Sequence, residues 1–231
     1  MFQSDFFIRK IIIVFVAIFI FNACAPTVAQ EIPRIVDNRI YFLDDKTRIE
    51  IEAGDIFHIF TEQNRIVHIS EQPLSHHHSE YQMFVFDFMG EEIARPLIHG
   101  LFSFIFAETA ERILAASAVL QNHTRSFLYD LDGNLLNVLY HDRESKQAGI
   151  TEDERYFWFV ANRMRPLYPG EDPFLPDLLP GFMHTPYNHI MVFDAHTGEF
   201  IESFSTREST FTFTVNGIEY SINMSPPDIP G

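Results

Sequence analysis

One cysteine, Cys24, occurs in 231 residues, so no disulfide within the chain is available and packing alone must hold the fold. Basic residues are scarce, 16 against 32 acidic, giving a formal net charge of −16. A field of that sign opposes nucleic acid and anionic lipid surfaces as partners. No Ser-centred nucleophile elbow, HExxH pair, phosphate-binding loop or dinucleotide fingerprint is present, so no catalytic residue is assigned. Long apolar runs are also missing. The longest, residues 11–21, is too short to cross a bilayer comfortably but suits the hydrophobic region of a signal peptide.

What the chain does contain favours sheet. It is 46% hydrophobic and 15% aromatic with 25 Phe, a composition suited to pleated, half-buried surfaces. Asp44, Asp87 and Asp130 follow one another at steps of 43 residues, and Asp194 follows after 64. Around them stand IYFLDDKTRIEI, MFVFDFMGEEIA, SFLYDLDGNLLNVL and HIMVFDAHTGEFIESF. Each is an apolar run ending at Asp, a polar turn and a second mixed run, which is a β-hairpin signature. The common register assigns these Asp a structural task, accepting turn N–H groups at a strand end, rather than acid–base chemistry.

A second series lies between them: IFHIFTEQNRIVHIS, FSFIFAETAERILAAS, GITEDERYFWFVAN and FTFTVNGIEYSINM. Arg112 and Arg155 are again 43 apart, each before an apolar return strand, with Arg65 in the same place upstream. Residues 105–120 are rich in helix formers, but the register predicts a hairpin turning at 108–111. Asn216-Gly217 is the strongest hairpin signal. Eight alternating hairpins over 38–224 predict an all-β, β-propeller-like array of four-stranded blades. The count fits about four blades or a fragment of a larger propeller. Beginning with an Asp hairpin and ending on the other kind, the chain permits its last and first hairpins to share a blade.

Residues 163–187 break the period and hold six prolines, which excludes a long helix or a central strand. Such insertions emerge as rim loops, often on the binding face. The binding candidates are therefore Tyr168, Phe174, Phe182, His184 and Tyr187, with Trp158 nearby, because aromatic side chains give large contact area at low ordering cost. His76, His77 and His78 with Glu80 are the metal candidates. Adjacent residues point in different directions, so the expectation is a solvated loop, with no metal and no cofactor.

Phe21-Asn22-Ala23-Cys24, after the apolar run, resembles the cleavage site of a bacterial lipoprotein. The resemblance implies a signal peptide over 1–23, lipidation of Cys24, a tether over 24–37 and a propeller-like domain over 38–231. Within the tether, IPRIV has the makings of an added strand. GITEDERYFWFVAN followed by IMVFDAHTGEFIESF is similar to the repeats of the bacterial propeller group that includes YVTN, quinoprotein-like and NHL-type proteins. Departures stand at 151–154 and after Asp44, where a turn glycine is missing. The expectation is a non-enzymatic binding or scaffold lipoprotein of the cell envelope, periplasmic or outer-membrane-facing. It would be held to the membrane by a lipid on Cys24 and would recognise an envelope protein or small ligand through rim loops. The alternative is a propeller-fold enzyme, a hydrolase or cofactor-dependent oxidoreductase, with its site where blade loops converge.

Overall fold

The computed structural model describes residues 31–44, 46–75, 78–100, 102–117, 125–141, 145–163, 172 and 187–224. Two compact units divide the chain at Ile32/Pro33, and the description that follows concerns the second, Pro33–Gly231. Every regular element among the described residues is a strand. No helix among them is long and apolar enough to cross a membrane.

The first sheet is β1 (Arg34–Val36), β2 (Arg39–Tyr41) and β3 (Arg48–Glu50), in that order. β1 is the strand anticipated in IPRIV. The second sheet holds β4 (Ile56–Phe60), β5 (Arg65–Ser75), β6 (His78–Asp87) and β7 (Glu92–Ala94), with β8 (Leu97–Gly100) also paired to β6. The third is a four-stranded meander of β9 (Phe102–Ala107), β10 (Arg112–Ser117), β11 (Arg125–Asp130) and β12 (Leu135–Tyr140). The fourth repeats it with β13 (Ser145–Ile150), β14 (Tyr156–Arg163), β15 (Tyr187–Asp194) and β16 (Phe200–Thr206). The fifth is the hairpin β17 (Thr210–Val215) and β18 (Ile218–Asn223).

Strand pairing is antiparallel throughout, and the stretch rich in helix formers is the β9–β10 hairpin, turning at 108–111. Glu111 sits there at φ 58°. Cross-strand burial of Phe, Ile and Leu outweighs the weak local preference for helix.

The blade boundary falls half a repeat away from a grouping that starts at each Asp hairpin. Each complete sheet opens with a plain-turn hairpin and closes with the Asp hairpin that follows it, because β5–β6, β10–β11 and β14–β15 are paired. A second correction concerns the ends. The last hairpin and the first lie in separate sheets, so the array is a run of small antiparallel sheets resembling propeller blades, and among the described residues no strand of the first pairs with one of the fifth.

The second, third and fourth sheets bury both faces against their neighbours, and the first and fifth bury one. Ile40 and Phe42 of the first meet Ile66 and Phe86 of the second. Val67, Met83 and Val85 meet Ile113, Ala115 and Tyr129 of the third. Leu114, Leu128 and Leu139 meet Phe157, Phe159 and Met191 of the fourth. Tyr156, Trp158 and Val192 meet Phe213, Tyr220 and Ile222 of the fifth. Alternate residues of one strand serve opposite layers, as in β10, where Ile113 and Ala115 face one sheet and Leu114 and Ala116 the other. A lone hairpin cannot do this, which is why the array needs its repeats.

Candidate functional site

The two ends of the sheets differ in kind. At one end lie the tight turns within each hairpin. Asp87 Oδ1 accepts the N–H groups of Met89 and Glu91 at 2.9 and 2.8 Å. Asp130 Oδ1 accepts those of Asp132 and Asn134 at 3.0 and 2.8 Å. Asp194 Oδ1 accepts those of His196 and Thr197 at 2.9 and 2.8 Å. Asp44 does the same for Lys46 and Thr47, and its Oδ2 accepts the Thr47 hydroxyl at 2.6 Å. The Thr47 side chain, then its backbone N–H, holds the Asp44 carboxyl below the usual carboxylate range. The carboxylates are thus structural, one per Asp hairpin.

Bonds between sheets occupy the same end. His58 Nε2 is 3.0 Å from Glu108 Oε1, and Gln63 donates to Glu111 at 3.1 Å. Glu154 accepts the Thr109 N–H, and Arg65 and Arg112 reach the Asp turns of the next sheet. Tyr220 donates its hydroxyl to Asp153 at 2.9 Å, and Asn216 Nδ2 donates to the Tyr156 hydroxyl at 3.1 Å. The Asp-turn glycines Gly90, Gly133 and Gly198 seat against the preceding sheet: a Cβ on Gly133 would come 2.5 Å from the Ala94 Cβ. A cleft of about 240 Å³ at this end, between 109–110 and 153–156, is lined by groups already engaged in these bonds.

At the other end the second strand of each complete sheet passes to the third, and these connections include 76–77, 118–124 and 164–186. At the same end of the strands, between the third and fourth sheets, is a buried polar chain. The Ser126 Oγ accepts the Ser117 N–H at 3.0 Å and lies 3.0 Å from His141 Nε2. His141 Nδ1 lies 2.8 Å from the Ser145 Oγ. Either neutral tautomer links the three side chains, one ring nitrogen donating and the other accepting. The His141 ring stacks on Phe159, centroids 4.5 Å apart at 10°. His189, also fully buried, enters from the start of β15. Its neighbour Asn188 donates Nδ2 to the Glu208 carbonyl at 3.0 Å. Chemically, a hydroxyl on an imidazole nitrogen is the first half of a nucleophile–base pair. Ser126 has no exposed surface, so what the group provides directly is a polar patch inside the interface of the third and fourth sheets.

The anticipated residues are distributed as follows. Trp158 is not on a rim: it is 8% exposed, lies in the core between the fourth and fifth sheets and covers Gly149. Tyr187, first residue of β15, is half-buried, with the Arg207 guanidinium 4.4 Å over its ring. Tyr168, Phe174, Phe182 and His184 lie outside the described residues, as do His76, His77 and Cys24. His78 begins β6, and Glu80, two residues on, holds His99 of β8 at 3.1 Å. Among the described residues no group of three or more His, Cys, Asp or Glu is arranged to hold a metal. The Ser126–His141–Ser145 chain had no signal in the sequence, since its members come from three strand termini and match no motif spacing.

No protein-family model matches the chain, and no curated protein sequence does. Among solved structures it shows a distant resemblance to β-propeller-fold proteins. The β-propeller domain of the Trilobed protease from Pyrococcus furiosus is 12% identical over 65% of this chain and 42% of that one, with TM-score 0.38. Kuenenia stuttgartiensis hydrazine synthase is 9% identical over 71% and 40%, TM-score 0.43. Pyrococcus horikoshii acylaminoacyl peptidase is 15% identical over 65% and 25%, TM-score 0.41. The chain spans less than half the length of each.

Proposed function

We propose that this is an envelope-anchored binding domain that recognises a protein or small ligand at the sheet ends opposite the Asp turns. One observation carries the reading: the Asp-turn end is taken up by bonds between sheets, while the strand ends joined by the longest connections in the sequence stand at the opposite end, where Ser126 and His141 form a buried polar group. Polar groups set in an apolar surround orient a ligand, and Pro-rich aromatic segments lose little entropy on docking. Residues 164–186, which join β14 to β15, are the recognition segment in this reading, with Tyr187 at its base. The test replaces 164–186 with a short Gly-Ser link and compares envelope crosslinking and pull-down with the unaltered chain. Lost partners in a folded variant support the proposal, and unchanged partners overturn it.

Lipidation of Cys24 supplies the anchor in this proposal, on the strength of the short apolar leader before the sole cysteine. Metabolic palmitate labelling of the unaltered chain and Cys24→Ala tests it, and equal label in both removes the anchor.

A second reading is an enzyme using the same end, supported by Ser126 and His141 in hydrogen-bond contact. Two of the solved structures above are named as a protease and a peptidase; those activities belong to them. Labelling by a fluorophosphonate probe that is lost in Ser126→Ala would favour this reading over simple binding. Absence of label in the unaltered chain removes it.

A further inference from the structure

The first and fifth sheets are unequal parts of one blade. In the second, third and fourth sheets, a plain-turn hairpin supplies the first two strands and an Asp hairpin the last two. The fifth sheet, β17–β18, is a plain-turn hairpin alone, packed on the fourth as the next blade would be. Its β18 stands where β5, β10 and β14 stand, yet among the described residues it pairs only with β17. The first sheet is the converse. It ends in an Asp hairpin, β2–β3, and its second-strand place is held by β1, a three-residue strand exposed along its length. The strand in that place in the third sheet, β10, is six residues long and almost wholly buried.

We propose that β18 of one copy pairs with β2 of a second copy, in the place β1 occupies here, so that two copies exchange half-blades reciprocally. Two such junctions are related by a two-fold axis and leave no half-blade unmatched. The ring would hold about eight blades, within the usual range of ~4–8. Charge suits the match. In a chain of net −16, the strands that would stay in the first sheet, β2 and β3, carry Arg39 and Arg48 against Glu50, which pairs with Arg39, while those of the fifth carry Glu219 and no base. β18 also has an edge built for addition. Ser209 O accepts the Met224 N–H, and Val215 faces Ile218 across the Asn216-Gly217 turn, so hydrogen-bonded pairs alternate from there. The Glu219 and Ser221 N–H groups consequently point away from β17, as an incoming strand requires, and Asn223 O on the same edge accepts Gln147 Nε2 at 3.3 Å.

The test uses the full chain in detergent, by sedimentation and light scattering corrected for bound detergent. A dimer is expected, with its dissociation constant raised about tenfold or more in Ser221→Pro and unchanged in Ser221→Thr. Pro at this outward position removes a donor to the partner but none to β17, so far-UV circular dichroism and Trp158 emission should stay as they were. An unaltered chain that is monomeric overturns the proposal, whether or not its Ser221 amide is protected from hydrogen exchange. So does a Ser221→Pro variant that remains as dimeric as the parent.

Discussion

Arg112 Nε–H donates to the main-chain oxygen of His196 at 2.9 Å, tying the third sheet to the Asp turn of the fourth. Arg65 makes the corresponding link one sheet earlier, its Nη2 donating to Asp132 Oδ1 at 3.1 Å. Asp132 and His196 each stand two residues beyond their turn carboxylate, so the Arg series and the Asp series are two ends of one repeated strut. Arg155, next in the series, meets no Asp hairpin in the fifth sheet and turns to Asp153 instead, at 3.4 Å. Arg112→Met should lower unfolding free energy by about 1 kcal/mol, since the bond is charge-assisted but partly solvated. Asp132→Ala should cost less than that. Urea unfolding of the two variants gives the comparison.

Asp130→Ala removes the acceptor of two turn N–H groups and should cost about 1–2 kcal/mol. Asn at the same place keeps the turn and should recover much of it. For Asp44 a pH window follows. Its folded value lies below the ordinary 3.8, so its contribution is complete above 3.8 and is lost as pH falls through the folded value. Unfolding midpoints of the parent and Asp44→Asn should therefore converge on acidification, and a constant gap would refute the assignment.

Tyr220 and Asp153 make the alkaline counterpart. Burial first, then the bond to the Asp153 carboxylate, pushes the Tyr220 phenol from 10.0 up to about 12. Burial of Asp153 acts against ionisation, but hydrogen bonds from Thr151 and Tyr220 overcome it and hold that carboxyl low. A raised folded value means stability complete below 10.0 and lost as pH climbs through about 12. Asp153→Asn should bring the Tyr220 titration back toward 10.0, read by phenolate absorbance against a Tyr220→Phe reference. No movement would show that the pair is not coupled.

Gly149 lies under the Trp158 indole, where an added Cβ would come 2.2 Å from a ring atom. Gly149→Ala should cost about 1–3 kcal/mol through overpacking and shift the emission of the only tryptophan. Emission and stability both unchanged would place the indole elsewhere.

Ser126→Ala removes the oxygen shared by the Ser117 N–H and His141 Nε2 and should cost about 1–3 kcal/mol because the site is buried. Thermal unfolding measures it. Ser126→Thr, which keeps the hydroxyl, should be milder unless its methyl finds no room.

The hairpins were legible in the sequence because a turn is a local event: apolar alternation, an Asp at the strand end and Gly or Asn at the bend act within a few residues. The same locality makes the turn carboxylates and the 108–111 bend readable. Blade phase was not legible, since the two ways of grouping alternating hairpins differ only in which strand edges meet across 118–124 or 164–186. Tertiary packing decided it by burying β10 and β14 as central strands. Trp158 likewise is a binding candidate in the sequence from its nearness to the insertion, and only the fifth sheet, arriving over it, makes it core. The Ser126–His141–Ser145 chain depends on three strand termini converging between two sheets, a relation between distant segments that no local pattern encodes.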